Sequence, residues 1–255
     1  ILSLTSYIGF FFYLFFGLGF RKRKRLKNSN DNFIFQKFLI RRNELIEKTN
    51  KIELKKDYFD LVYYLEYNLK SLYYPSNEIT LYTDGVDFFN VLKQNIANAK
   101  VFIHIEYYIF RNDTLGTEIK NLLIKKAKEG VEIKFIYDGM GSLSVKDRFF
   151  NDLREAGAEV ECFFPPTLLP FNIRWNFRNH RKIVVIDGQE AYVGGFNVGD
   201  EYLGKNKKFG YWRDTQLKIE GDIIDSIEAE FLMDWLFVKK QKISKDFETD
   251  KYFPK

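Results

Sequence analysis

Apolar and polar positions divide the chain into three textures. Residues 1–20 read ILSLTSYIGFFFYLFFGLGF and hold no charged side chain. About 20 such residues span a hydrocarbon core of roughly 30 Å as a helix, so a transmembrane helix is expected there. RKRKRLK follows at 21–27, and positive charge on this side places the rest of the chain in the cytoplasm. A cleaved signal peptide would carry its basic residues ahead of the apolar segment and a small-residue cleavage site behind it. Residues 21–78 form a basic, mostly helical connector, with polar–apolar stretches around 33–50 and 57–72 that predict helices. Its basic run suits anionic lipid headgroups.

From residue 79 to about 240 the pattern alternates between strand and helix. AKVFIHIEYYIF (99–110) is rich in strand formers. TLGTEIKNLLIKKAKEG (114–130) is a helix capped by Asp113 or Thr114 and stopped by Gly130. VEIKFIYD, the helical VKDRFFNDLREAG and AEVECFF repeat the cycle. A proline-rich loop, PPTLLPFNIRWNFRN, leads to HRKIVVIDGQEAYVGG, and a strand near 215–220 and a helix over 222–237 complete the lobe. Strand–helix–strand units predict an α/β fold with a mixed, mostly parallel β-sheet flanked by helices. Residues 241–255 read as a charged tail or linker.

Composition narrows the picture. The net charge is +5, much of it in the run at 21–27, so the lobe is nearly neutral and no nucleic-acid partner is expected. The single cysteine, Cys162, excludes an intrachain disulfide and a cysteine-rich zinc site; its setting is that of a strand residue. The first residue is isoleucine, and the chain reads as part of a longer protein.

The candidate chemistry lies in NHRKIVVIDGQEAYVGGFN (179–197). Alternation along a strand sends His180 and Lys182 to one face, about 7 Å apart, and Arg181 to the other. An imidazole beside a fixed cation suits a phosphate ester: the ring attacks phosphorus and the cation neutralises the oxygens. Asp187-Gly188 is a strong hairpin signal. The hairpin returns Gly194, Gly195 and Asn197 to the pair, where the glycines permit close backbone approach and Asn197 offers an amide donor.

His180-x-Lys182, Asp187 and Gly194-Gly195-x-Asn197, at these spacings, resemble the signature of the phospholipase D superfamily. HIEYYIFRNDTLGTEI, KKAKEGVEIKFIYDGMGS, RNHRKIVVIDGQEAYVGGFNVGDEYLG, FGYWRDT and FLMDW are similar to the bacterial cardiolipin synthase family over about residues 79–236. That resemblance implies a phospholipase D-like catalytic lobe behind an N-terminal anchor, in the cell membrane. His180 would be the covalent nucleophile or its acid/base counterpart, and Lys182, Asn197 and Gly195 would form the phosphate site. Asp187, third member of the motif, is assigned to the turn rather than to direct catalysis. An acidic residue further along would orient the histidine: Asp214 is preferred over Asp200 and Glu201. Glu106 is read either as a pocket residue or as a buried structural carboxylate.

The resemblance further implies that two phosphatidylglycerols are joined with release of glycerol through a phosphohistidine, without metal or other cofactor; the alternatives are hydrolysis of a phospholipid or nucleic-acid phosphodiester by the same chemistry and an inactive membrane-bound remnant. Leu168, Leu169, Phe171 and Trp175, with Arg174 and Arg178, would form either a lipid-facing rim or a packed loop. Relatives carry two such motifs. The other histidine, His104, has no lysine at the right spacing and is read as structural, so the site is expected to need a missing second lobe or a second copy of the chain.

Overall fold

The computed structural model describes residues 58–69, 73–74, 76–165, 178–240 and 251–254. The expected membrane helix at 1–20, the basic run, the helical stretch at 33–50, most of the proposed rim (Leu168 to Trp175) and residues 241–250 lie outside these. Among the described residues, no helix is long and apolar enough to cross a membrane.

Helix α1 (Phe59–Leu69) precedes the lobe and exposes Phe59, Leu61, Tyr63, Tyr64 and Tyr67 while Val62 is buried. The lobe then runs β1 (Asn77–Asp84), α2 (Gly85–Asn98), β2 (Phe102–Tyr107), α3 (Thr114–Lys128), β3 (Glu132–Asp138), α4 (Asn151–Glu155), β4 (Glu159–Phe163), β5 (Lys182–Ile186), β6 (Glu190–Gly194), β7 (Arg213–Gly221) and α5 (Ile224–Lys239). Helix starts follow local chemistry. Asp84 accepts the Val86 and Asp87 N–H groups at the head of α2, and Asp113 accepts the Gly116 N–H at the head of α3, each filling an otherwise orphan donor.

The strands form one seven-stranded sheet in the order β1-β7-β6-β5-β2-β3-β4. Only β2–β3 and β3–β4 are parallel; β1–β7, β2–β5, β5–β6 and β6–β7 are antiparallel. The sheet is therefore mixed, as expected, but mostly antiparallel rather than mostly parallel. The reason is local. Helical crossovers keep β2, β3 and β4 parallel, whereas the Asp187-Gly188 turn joins β5 directly to β6 and reverses the chain.

Both faces are covered. Ile103, Ile105, Tyr107, Val184, Ile186 and Tyr192 pack with Phe88, Leu92, Leu115 and Ile119 of α2 and α3. On the opposite face Phe102, Ile183, Val185 and Ala191 pack with Phe231, Leu232 and Trp235 of α5. Alternation thus makes β5 apolar on both sides. Its two faces diverge only at the end where Arg181 and Lys182 enter.

Candidate active site

One rim of the sheet gathers the carboxyl ends of parallel β2 and β3, the start of β5, the end of β6 and the start of β7. Such rims are where open α/β sheets place ligands. His180 stands there exposed, immediately before β5, and Lys182 is buried at the strand's first position. The Lys182 ammonium folds back onto its neighbour: Nζ lies 3.1 Å from His180 Nδ1 and donates to the His180 carbonyl at 2.9 Å. The side chains therefore converge far more closely than the strand repeat alone requires. Tyr108, just past β2, packs its ring 4.4 Å from the His180 ring and lies under the Lys182 ammonium at 5.2 Å.

The electrostatics are those of a crowded cationic pair. Burial, with the Lys182 charge second, lowers the His180 pKa below its ordinary value, against an opposing pull from Asp138. Burial brings Lys182 down to about 8, against the field of Asp214. Near neutral pH the imidazole is uncharged and the lysine mostly charged. A charged lysine can only donate, so Nδ1 accepts and the ring carries its hydrogen on Nε2. That tautomer is a proton donor toward a ligand.

Asn197 is brought to the same rim, buried, and its side chain is already engaged. Oδ1 accepts the Ile109 N–H at 3.0 Å, and Nδ2 donates to the Tyr202 hydroxyl at 2.9 Å. One amide hydrogen is left for a ligand. Gly195 lets the Asp214 carboxylate approach the backbone, since a Cβ there would meet that carboxylate unless the aspartate turned away. Asp214 accepts the Thr215 N–H at 2.7 Å, and its field reaches Lys182. Among the described residues it makes no hydrogen bond to His180, contrary to the orienting role expected of it. Asp200 accepts from the Leu115 N–H, and Glu201 pairs with Arg111.

Two residues named with the site lie elsewhere. Asp187 is at the far end of β5, and its carboxylate accepts the backbone N–H groups of Lys100, Val101 and Phe102 at 2.8–2.9 Å. It is a structural clamp at the turn to which the sequence assigned it, away from the rim where a catalytic group would stand. Glu106 pairs with Ile183 in the register and faces α5, the side opposite Lys182. It is buried and bonded to Asn179, within a network of Asn179, Arg181, Asp234 and Glu230. Burial, then the Asp234 charge, raises its pKa well above the carboxylate range. Of the two readings of Glu106, the buried carboxylate is the one observed.

Sequence reasoning missed Tyr108 and Asp138. Buried Asp138, at the carboxyl end of β3, takes the Asn179 N–H on Oδ2 at 3.0 Å and the Met140 and Gly141 N–H groups on Oδ1 at 2.9 Å. It ties the segment bearing His180 to the neighbouring strand. The available signal was positional: both residues end strands whose parallel direction follows from the helical crossover between them.

An exposed histidine bonded to a buried lysine, on the rim of a mixed sheet covered by helices on both faces, defines a phospholipase D-like lobe. The fold matches phosphatidylserine synthase from Haemophilus influenzae Rd KW20 with a TM-score of 0.50 and 19% identity, over 69% of this chain and 41% of that one. The chain belongs to the family described as "Cardiolipin synthase, PLD-like domain", whose model matches residues 92–235. It is 42% identical over 239 residues to "Major cardiolipin synthase ClsA" of Bacillus subtilis (strain 168), covering 92% of this chain and 50% of that protein. It is also 42% identical over 261 residues to "Cardiolipin synthase" of Staphylococcus aureus (strain N315), covering 100% of this chain and 52% of that protein. The chain thus spans about half the length of the curated relatives it matches.

Proposed function

We propose that this chain carries one half of a membrane-bound phosphatidyltransferase site that makes cardiolipin from two phosphatidylglycerols. The observation that supports this reading most is the His180–Lys182 pair: a neutral imidazole held against a cation at an exposed rim, in a chain of the cardiolipin synthase family. The phosphate of the first lipid draws the Lys182 ammonium away from Nδ1. With Nδ1 free to hold the ring hydrogen, Nε2 attacks phosphorus, the bond from phosphorus to the glycerol oxygen breaks, and a phosphatidyl-histidine forms. A second histidine, from a complementary lobe or another copy of the chain, protonates the departing glycerol. That histidine then takes the proton of a hydroxyl on the second phosphatidylglycerol, whose oxygen displaces His180. Lys182 and the remaining Asn197 amide hydrogen stabilise the phosphoryl oxygens in both displacements. Residues 1–20 would anchor the enzyme where both lipids reside, with the lobe on the cytoplasmic side and residues 21–27 against anionic headgroups. Residues 241–255 would lead toward the complementary lobe.

The test is product analysis with the complete gene product in phosphatidylglycerol vesicles. Cardiolipin and free glycerol in equal amounts are expected, with an acid-labile phosphohistidine trapped on quenching. Phosphatidic acid in place of cardiolipin would make the protein a hydrolase. Absence of both turnover and phosphohistidine would leave a membrane-bound module without catalysis.

A further inference from the structure

Beneath the rim lies a second layer of side chains, and one of them is anomalous. Tyr107 pairs with Lys182 across β2 and β5. Lys182 precedes the Ile183–Val193 pair by one residue and so lies opposite Gly194. Gly194 in turn pairs with Gln216 of β7. These residues form one row on one face of the sheet, with about 10 Å, two strand spacings, between the Lys182 and Gln216 backbones. Gln216 is fully buried, yet neither its amide nitrogen nor its amide oxygen has a hydrogen-bond partner. Its carboxamide leans over the residue that lacks a side chain, and a Cβ on Gly194 would fall 2.5 Å from Oε1. On the other side of Lys182 the buried Tyr107 hydroxyl is also without a partner. A folded chain rarely leaves such groups unsatisfied, because each forfeits its hydration. Two of them flanking the one lysine of the site mark a polar floor that the fold itself does not use.

We infer that Gln216 is a phosphoryl-binding residue: its amide N–H donates to an oxygen of the phosphodiester that Lys182 neutralises. The inference rests on the reading of the site as a phosphoryl-transfer centre and adds a ligand from β7, a strand for which that reading supplied only Asp214. Because the amide is shut off from solvent, a ligand reaches it only as its neighbours give way. Lys182, folded back onto His180, is the side chain of this layer that moves when a phosphate takes its ammonium. The unsatisfied amide is then strain stored at a functional site and relieved by substrate.

The discriminating variant is Gln216→Met, close in volume and without donors. In the complete protein it is expected to raise the melting temperature, since a buried orphan is removed. It is also expected to weaken inorganic phosphate, read as the midpoint of phosphate-induced thermal stabilisation, by about 10- to 100-fold, the worth of a hydrogen bond to a charged group. kcat/KM on phosphatidylglycerol vesicles should fall by a similar factor. A merely structural glutamine predicts the reverse: a lower melting temperature and unchanged phosphate binding. Wild-type phosphate affinity in the variant, or no phosphate stabilisation of the wild type, overturns the inference. A loss seen with phosphatidylglycerol but not with inorganic phosphate assigns the amide to the headgroup and also overturns it. If the wild type turns over no phosphatidylglycerol, the cardiolipin reading falls while the phosphate measurement still decides the role of Gln216.

Discussion

The chain has two histidines, and the sheet sends them to opposite faces. His180 is exposed on the rim, with one nitrogen against Lys182 and its ring packed at a tilt on Tyr108. His104, inside β2, is fully buried toward α5. Its Nδ1 lies 2.7 Å from Glu228 Oε1, and Nε2 lies 3.5 Å from Glu132 Oε1. The rings of Phe102, Phe231 and Tyr252 box it in, with centroids 4.5–4.9 Å away. Lys134 and Lys251 pair with the same Glu132. Both imidazoles have charged company within a few ångströms, so proximity of charge does not separate a reactive histidine from a structural one. What separates them is access. His104 is walled in by carboxylates and aromatic rings, so that even its Nε2, which has no hydrogen-bond partner, is closed to a ligand, whereas His180 keeps an unpartnered Nε2 on an exposed ring among the described residues.

Substituting each histidine breaks the comparison most sharply. His180→Ala is expected to lower turnover by at least about 10³-fold and to abolish the phosphohistidine, with little change in unfolding free energy. His104→Ala should do the converse. It leaves the Glu228 carboxylate buried without its partner and costs about 3 kcal/mol in denaturant unfolding, while the fraction that remains folded keeps its kcat. Loss of activity per folded molecule in His104→Ala would erase the distinction drawn here.

Asp187 offers a smaller test of the same division, since it belongs to the motif but not to the rim. Asp187→Ala removes the acceptor of three backbone N–H groups. It should lower stability by about 2 kcal/mol, the scale of losing a side-chain cap, without altering the pH profile of the folded enzyme.

That profile gives the finest discrimination. Activity is expected to rise with pH as His180 loses its proton, below the usual histidine value, and to fall as Lys182 loses its own near 8. Stability moves in the opposite sense across the second limb. The Lys182 pKa is lower in the folded state, so the unfolded chain holds more protons between about 8 and the ordinary 10.5. The Lys182 contribution to stability therefore improves as pH rises through that window while catalysis is lost. Lys182→Met should abolish the alkaline limb of the stability curve along with activity; a stability curve unchanged by the substitution would remove the desolvated charge from the account.

Most of the lobe was legible because its signals are local. The strand expected in 99–110 is β2, the helix expected over 114–130 is α3 at Thr114–Lys128, and the Asp187-Gly188 turn has the left-handed φ at both residues that such a hairpin requires. The stretch read as one helix from 145 to 157 divides into a 3-10 turn at Asp147–Phe150 and the short α4. Strand direction was less legible. β1 at Asn77–Asp84 joins β7 across the whole lobe, a long-range pairing with no local cue. Within the site, alternation along β5 puts His180 and Lys182 side by side, and the hairpin returns Gly195 and Asn197 toward the same rim. Asp138, Tyr108 and Gln216 come from strands distant in sequence, and no periodicity within a segment connects them to the motif. Glu106 was ambiguous until the β2–β5 register gave its side, since one step of register moves a residue to the other face.

The Asp187 clamp therefore acts as a ruler. By gripping the backbone of residues 100–102, it sets a zero mark at one end of β5 from which residues are counted off to the rim. An odd number of inserted or deleted residues between Lys182 and Asp187 would present Arg181's side of the strand where the lysine now stands, and an even number would keep the face but change the reach. The interval between lysine and aspartate in the motif is thus a measured length: the aspartate does no chemistry, yet it determines which side chain arrives where chemistry is done.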